Sequence, residues 1–162
     1  MRMSQGVEWS VHCLSVLAFL PEERALSAGR LAEFHGIPAP YLAKHLQALV
    51  RAGIIDSVPG PRGGFRLERA PADISLLDVV EALEGPEPAF RCTEIRQQGP
   101  SAIGKKCYTR PCGLAAAFAN AENAWRTALR ATTLQQLIED LPRSVDPRQL
   151  KKQAAWLDDV LA

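Results

Sequence analysis

The stretch YLAKHLQALVRAGIIDSVPGPRGGFRL, residues 41–67, decides the fold of this 162-residue chain. Leucines recur at helical spacing through residues 41–49. Residues 54–58 then have the pattern of a strand, and residues 65–67 that of a returning strand. The tight Pro/Gly-rich loop at 59–64 joins them. The stretch therefore predicts a helix followed directly by a β-hairpin.

Another helix precedes this one. Ser27 is a suitable N-cap for residues 28–35, and Gly36 ends that helix. Pro38 and Pro40 fall in the first turn of the next helix, where a missing N–H does no harm. Two helices joined by so short a connection predict a helix-turn-helix, with the hairpin as its wing.

The remaining patterns are helical. They cover residues 5–20, 75–83, 114–131, 134–141 and 147–161. The 114–131 helix is rich in alanine and suits close packing against a twin helix, so we expect a homodimer. We expect the last two helices to fold back on the core.

Composition is that of a globular protein, with 47% hydrophobic and 23% charged residues. There is no apolar run of membrane-spanning length and no cleavage signature. We therefore expect a cytoplasmic protein without a membrane span. In a reducing cytosol its four cysteines are expected to be thiols, metal ligands or redox sensors rather than disulfides.

A local basic face points to double-stranded DNA as a partner. Residues 38–69 contain five basic and two acidic side chains, although the net charge of the whole chain is only +1. The second helix of a helix-turn-helix lies in the major groove, and the wing can reach phosphates or a minor groove. The candidate contacts are Tyr41, Lys44, His45, Gln47 and Arg51 on the helix, with Arg62 and Gly63 on the wing.

Two groups of residues could hold a metal. Cys92, Cys107 and Cys112 lie in or beside a Gly/Pro-rich stretch. Glu8 and His12 are four residues apart, so they share one face of the first helix. By themselves Glu8 and His12 could also be an ordinary solvent-facing pair. Cys13 and His35 are better explained as a buried small side chain and a helix C-terminal histidine.

The winged-helix residues resemble the Rrf2 family of bacterial transcription regulators. The resemblance is carried by residues 41–49, by Arg51-Ala52-Gly53, by residues 60–67 and by residues 76–80, and it extends over nearly the whole chain. It implies dimers that hold an iron-sulfur cluster or another sensor near the base of a long dimerisation helix. Pro59 stands where the family's cluster-assembly regulator has a wing arginine, a contact that Arg62 could take over.

A second resemblance narrows the expected sensor. Residues 6–13 and Cys92-Thr93-Glu94-Ile95-Arg96-Gln97 are similar to redox-sensing members of that family. This implies a two-iron two-sulfur (2Fe-2S) cluster bound by Glu8 and His12 of one subunit and two cysteines of the other. We assign Cys107 and Cys112, which only four residues separate, and keep Cys92 as the alternative ligand.

The cysteine spacing differs from the evenly spaced three-cysteine loop of other cluster-binding members. Trp9 adjoins Glu8, so it is either a core or interface tryptophan or a side chain whose packing responds to the redox state of the irons.

The function expected from these residues is that of a redox-sensing repressor, not an enzyme, that binds an inverted-repeat operator as a homodimer. We divide the chain into a winged helix-turn-helix domain (1–70), a connecting helix with the cluster-binding loop (71–113), and a dimerisation helix with C-terminal helices (114–162). A zinc site or a thiol-disulfide switch is the alternative sensor. A small metalloenzyme is a third hypothesis, and it would leave the reading helix and wing without a role.

Overall fold

The structure, a computed structural model, describes residues 3–162. Over that range the chain forms seven α-helices and one two-stranded antiparallel hairpin. The helices are α1 (Gln5–Leu17), α2 (Ala28–His35), α3 (Ala39–Arg51), α4 (Leu76–Glu84), α5 (Gly113–Ala131), α6 (Leu134–Ser144) and α7 (Pro147–Leu161). The strands are β1 (Ile55–Val58) and β2 (Gly64–Leu67). The predicted fold, mostly α with a winged helix-turn-helix and a long later helix, is confirmed.

The helix-turn-helix is built by the local signals of the sequence. The Ser27 side chain accepts a hydrogen bond from the Arg30 N–H and caps α2. Gly36 ends α2 in the left-handed conformation, with φ 65°. α3 then starts directly after Pro38, so the turn between the two helices stays short.

The wing is tied back to the helical body. β1 and β2 pair from Ile55 opposite Leu67 to Val58 opposite Gly64. Leu26, just before α2, adds an antiparallel bridge to Phe65. The hairpin therefore has a fixed position relative to the helix-turn-helix.

α4 and α6 begin side by side. Ser75 and Thr133 are their N-caps, each in a complete capping box, and the two residues form an antiparallel bridge. The Leu76 N–H donates to the Thr132 carbonyl at 2.9 Å, and the Leu134 N–H donates to the Ile74 carbonyl at 2.8 Å. Both ends of the segment that contains α4 and α5 are thus joined at one point.

The core lies between α1, α2, α3 and the wing, and the C-terminal helices pack onto it as expected. Leu134 of α6 and Leu157 of α7 belong to the core cluster. The Trp156 ring lies 4.7 Å from that of Phe34 on α2. The two C-terminal helices therefore pack against the helix-turn-helix.

Two predicted helix ends were wrong. α1 ends at Leu17, not at Leu20, because the Phe19 and Leu20 amides bond three residues back, to the Val16 and Leu17 carbonyls. α6 continues beyond Leu141 to Ser144, with Pro142 inside its last turn. Among residues 3–162, no helix is long and apolar enough to cross a membrane.

Candidate functional site

The outer face of α3 carries most of the predicted DNA contacts. Leu42, Leu46 and Leu49 are fully buried, so the opposite face of α3 points outward. The predicted contacts that are exposed on it are Tyr41, Lys44, Gln47 and Arg51. An exposed, partly basic second helix of a helix-turn-helix has the form that enters a major groove.

His45 occupies a different place from these four. Its ring is half-buried and lies against α1, where a Cβ built on Gly6 would come 2.4 Å from His45 Cε1. The rings of Trp9 and Tyr41 lie 6.3 Å and 6.0 Å from it. In this subunit His45 joins the reading helix to α1 rather than standing free at the outer face.

The wing tip presents Arg62. Its side chain is exposed, and the Gly63 N–H donates to the Gly60 carbonyl at 2.9 Å to close the turn. A Cβ on Gly63 would come 2.1 Å from the Val58 carbonyl oxygen, so only glycine fits the tight turn. Arg66, by contrast, is paired with Asp56 at 3.1 Å. Arg62 is therefore the wing arginine available to a phosphate.

Glu8 and His12 are exposed on one face of α1. Both line a cleft of about 990 Å³ between α1 and the C-terminal helices. This arrangement leaves a carboxylate and an imidazole, one helical turn apart, accessible from outside the subunit.

His35 lies beside His12, a neighbour that sequence reasoning did not assign to it. The two rings are 5.8 Å apart, and His35 Nε2 is buried without a hydrogen-bond partner. Burial, and then the charge of His12, lowers the pKa of His35. The last residue of α2 therefore contacts the polar face of α1.

Cys92 and Cys112 are brought together at the start of α5. Cys112 is the N-cap of α5, and Cys92 lies near its thiol. The pKa of Cys112 is lowered mainly by the nearby backbone N–H groups of Ala115 and Leu114 at the start of α5, with Cys92 and Arg96 adding to the effect. Cysteine sulfurs are ligands that zinc and iron-sulfur clusters take, so the two side chains form a candidate pair of ligands.

Cys107 is exposed at the end of a short 3-10 turn, Lys105–Cys107. Cys92, although far away in sequence, is the cysteine near the Cys112 thiol. Cys13 is fully buried, and burial raises its pKa to about 12, as suits its expected role as a small core side chain. Among residues 3–162, no three His, Cys, Asp or Glu side chains gather into one metal site.

Arg96 and Tyr108 organise the cysteine-bearing loop, and neither was singled out from the sequence. Arg96 pairs with Glu94 at 2.8 Å and lies over the Tyr108 ring, 5.4 Å from its centroid. The Tyr108 hydroxyl donates to the Arg96 carbonyl at 2.6 Å. Arg96 belongs to the motif around Cys92, and this was the only sequence signal for its role. Its partners Tyr108 and Arg110 lie too far along the chain to be predicted from the sequence.

Comparison with known proteins gives the family of this molecule. The sequence pattern of Rrf2, described as iron-dependent transcriptional regulators, matches residues 3–140. The chain belongs to the Rrf2 family. YwgB of Bacillus subtilis, named as an HTH-type transcriptional regulator, is 30% identical over 160 residues, covering 97% of this chain and 95% of YwgB. Protein aau3 of Rhizobium meliloti is 30% identical over 143 residues, 88% of each chain.

Solved structures share the fold of this Rrf2 protein. CymR, the global cysteine regulator of B. subtilis, has a TM-score of 0.67 at 22% identity, covering 86% of this chain and 97% of CymR. IscR of T. potens has a TM-score of 0.66 at 22% identity, covering 90% and 92%. At these identities the likeness supports the fold alone.

The long helix of this Rrf2 protein leaves an apolar surface open. None of the α5 residues is buried, and Leu114 and Phe118 are 57% and 47% exposed. Phe90, two residues before Cys92, stacks on Phe118 with ring centroids 4.4 Å apart. The segment that leads to Cys92 is therefore held against α5.

Proposed function

We propose that this Rrf2 protein is a homodimeric, cytoplasmic repressor that senses redox state through a 2Fe-2S cluster and binds an inverted-repeat operator. The observation that carries the proposal is the nearness of Cys92 to Cys112, the N-cap of α5. Glu8 and His12, exposed on α1, supply the second pair of donors.

The cysteine ligands in this proposal differ from the sequence-based assignment. Cys107 was preferred there because it is near Cys112 in sequence. In the folded chain the Cys92 thiol is the neighbour of Cys112, and Cys107 is exposed on its own turn. The proposal therefore takes Cys92 and Cys112 as the thiolate pair.

The donor types fit a two-iron cluster of mixed ligation. Each iron of such a cluster takes two protein ligands, and imidazole can replace thiolate on one iron with a rise in reduction potential. When bound, the cluster supplies a one-electron switch. Cys92 and Cys112 would hold one iron, and Glu8 with His12 of the partner subunit would hold the other.

Resemblance and family support this assignment. The residues around Glu8, His12 and Cys92 resemble RsrR, a redox-sensing member of the Rrf2 family. The family description as iron-dependent regulators agrees with an iron site.

The open surface of α5 supplies the dimer contact in this proposal. Pairing α5 with its copy would cover Leu114 and Phe118, which are exposed in one subunit. It would also bring the Cys112 end of one α5 towards the α1 of the other subunit. Two reading helices on one dimer suit half-sites about one DNA turn apart.

Trp9 supplies the route from sensor to DNA. It follows Glu8 on α1, and its ring centroid lies 6.3 Å from both Tyr41 and His45 of α3. A change in how Glu8 and His12 are held would shift α1, and with it the packing of Trp9 against the reading helix. The cluster need only bias two existing dimer geometries.

Anaerobic purification followed by iron and sulfide assays tests the sensor. We expect iron and acid-labile sulfide in equal amounts in the wild type, with cluster loss in Cys92→Ser, Cys112→Ser and His12→Ala. Cys107→Ser is the matched control and should keep its cluster. Cluster loss in Cys107→Ser with retention in Cys92→Ser would restore the sequence-based assignment.

DNA binding tests the regulatory claim. Oxidised, reduced and cluster-free protein should differ in affinity for an inverted-repeat operator by about 5–150-fold, the usual range of allosteric coupling. Equal affinities of the three forms would remove redox sensing from the proposal.

The proximity of Cys92 and Cys112 also favours a second candidate, a thiol-disulfide switch. It requires no sulfide and no visible absorption. Purified protein without iron or zinc, whose operator affinity changes on reversible oxidation of these two thiols, would support this candidate in place of the cluster.

A further inference from the structure

Arg96 connects three parts of the cysteine-bearing loop. Its guanidinium donates two hydrogen bonds to Glu94 Oε2, at 2.8 and 3.1 Å. It also donates to the Arg110 carbonyl at 3.3 Å, two residues before Cys112. The Tyr108 ring lies beneath it. One side chain thus joins the turn that follows Cys92 to the backbone that precedes Cys112.

The turn after Cys92 needs such support. Glu94 has φ 50°, the left-handed conformation that side-chain-bearing residues rarely adopt. In that conformation its N–H donates to Cys92 Sγ at 3.4 Å. The double hydrogen bond from Arg96 holds the Glu94 side chain, so it also fixes the amide that orients the Cys92 sulfur.

Charge adds to geometry at this point. Arg96 lies close enough to both Cys92 and Cys112 for their charges to act on it, and its side chain is only 34% exposed. Glu94 offsets part of the positive charge of Arg96. A cation beside thiolate ligands lowers the net negative charge of a cluster and raises its reduction potential.

We propose that Arg96 is the positioning residue of the sensor, which holds Cys92 and Cys112 as a ligand pair and raises the potential of the group they bind. This inference rests on the proposed function for the cluster, while its geometric part concerns the thiol pair alone. It names a residue that is not itself a ligand.

Two measurements on three variants test it. Arg96→Gln removes the positive charge and the two hydrogen bonds to Glu94, whereas Arg96→Lys keeps the charge. The control, Arg91→Gln, removes an arginine that is 73% exposed and paired with Glu87. The first measurement is the affinity of reduced, cluster-free protein for cobalt(II), followed by its thiolate charge-transfer absorption. The second is the reduction potential of cluster-loaded protein.

Arg96→Gln should weaken cobalt(II) binding by about 10–100-fold, as expected for loss of a group that orients ligands, and should shift the potential downward. Arg96→Lys should weaken cobalt(II) binding but keep most of the potential. Arg91→Gln should change neither. Far-UV circular dichroism verifies that each variant is folded.

The outcomes separate this inference from the proposed function. Wild-type protein that never acquires iron and sulfide would overturn the cluster, while the cobalt(II) series would still test Arg96. A wild type with a cluster, together with unchanged cobalt(II) affinity and potential in Arg96→Gln, would overturn the role of Arg96. If Arg91→Gln had the same effects as Arg96→Gln, the effects would come from surface charge in general, and the role of Arg96 would be overturned.

Discussion

The ring of His45 lies directly against Gly6, so that a Cβ at residue 6 would come 2.4 Å from its Cε1 atom. This contact sets how closely α1 approaches the reading helix. It lies within one turn of Glu8, and Trp9 and Tyr41 flank it. The face that reads DNA and the helix that carries two proposed ligands therefore meet at a glycine.

Replacing Gly6 by alanine should displace the His45 ring. Overpacking in a core costs about 1–3 kcal/mol; because the clash is with the end of a half-buried side chain, we expect a loss near the lower end, measured as the free energy of unfolding in urea. The ring would then repack against Tyr41, which lies 6.0 Å away and is a predicted DNA contact, so DNA affinity should fall as well.

A double-variant cycle provides the control. His45→Ala opens the space that the new methyl group needs, so Gly6→Ala should be nearly neutral in that background. Additive losses in the double variant would show that the two residues do not interact as described.

Leu46→Ala should destabilise the domain. Leu46 is fully buried in the core, where leucine truncation costs about 2–5 kcal/mol. Gln47→Ala, an exposed neighbour, should stay within about 0.5 kcal/mol. Urea denaturation compares the two, and similar losses would contradict the burial pattern of α3.

Cys13 should resist alkylation in the native protein. It is fully buried, and burial raises its pKa to about 12, so almost no thiolate exists near neutral pH. With cluster-free protein, N-ethylmaleimide should label Cys92, Cys107 and Cys112 in native buffer and Cys13 only after denaturation. Mass spectrometry of the digested protein locates the labels; native labelling of Cys13 at a similar rate would be incompatible with this core.

Arg62→Ala should weaken binding to mixed-sequence duplex DNA and lower the slope of log K against log salt by about 1, the loss of one phosphate contact. Arg148→Ala is the control, since Arg148 is 87% exposed on α7 and paired with Asp146. An unchanged salt slope in Arg62→Ala would place the wing tip away from the DNA backbone.

Local signals explain why most of the fold was predictable. Ser27 and Gly36 cap the two ends of α2 as expected. Pro40 lies in the first turn of α3 as expected, whereas Pro38 is its N-cap, one residue before the helix. Pro142 gave a misleading signal. Proline usually ends a helix, yet the last turn of α6 continues, and Val145 N–H donates to the Leu141 carbonyl at 2.9 Å.

The sensor was less predictable because its contacts cross long stretches of chain. Spacing favoured Cys107 as the partner of Cys112, whereas folding pairs Cys112 with Cys92 through a loop closed by Arg96 and Tyr108. His45 was expected at the DNA face because its contact with α1 also joins residues far apart in the sequence. Its position on α3 was visible in the sequence, but the arrival of Gly6 beside it was not.

The bridge between Ser75 and Thr133 holds together the two ends of the segment 76–132, which contains α4, the cysteine-bearing loop and α5. Because these ends are fixed to each other, loops within the segment can gain or lose residues without moving them. The cysteine half of the proposed sensing site can therefore change in length and spacing, while Glu8 and His12 stay on α1 beside the reading helix.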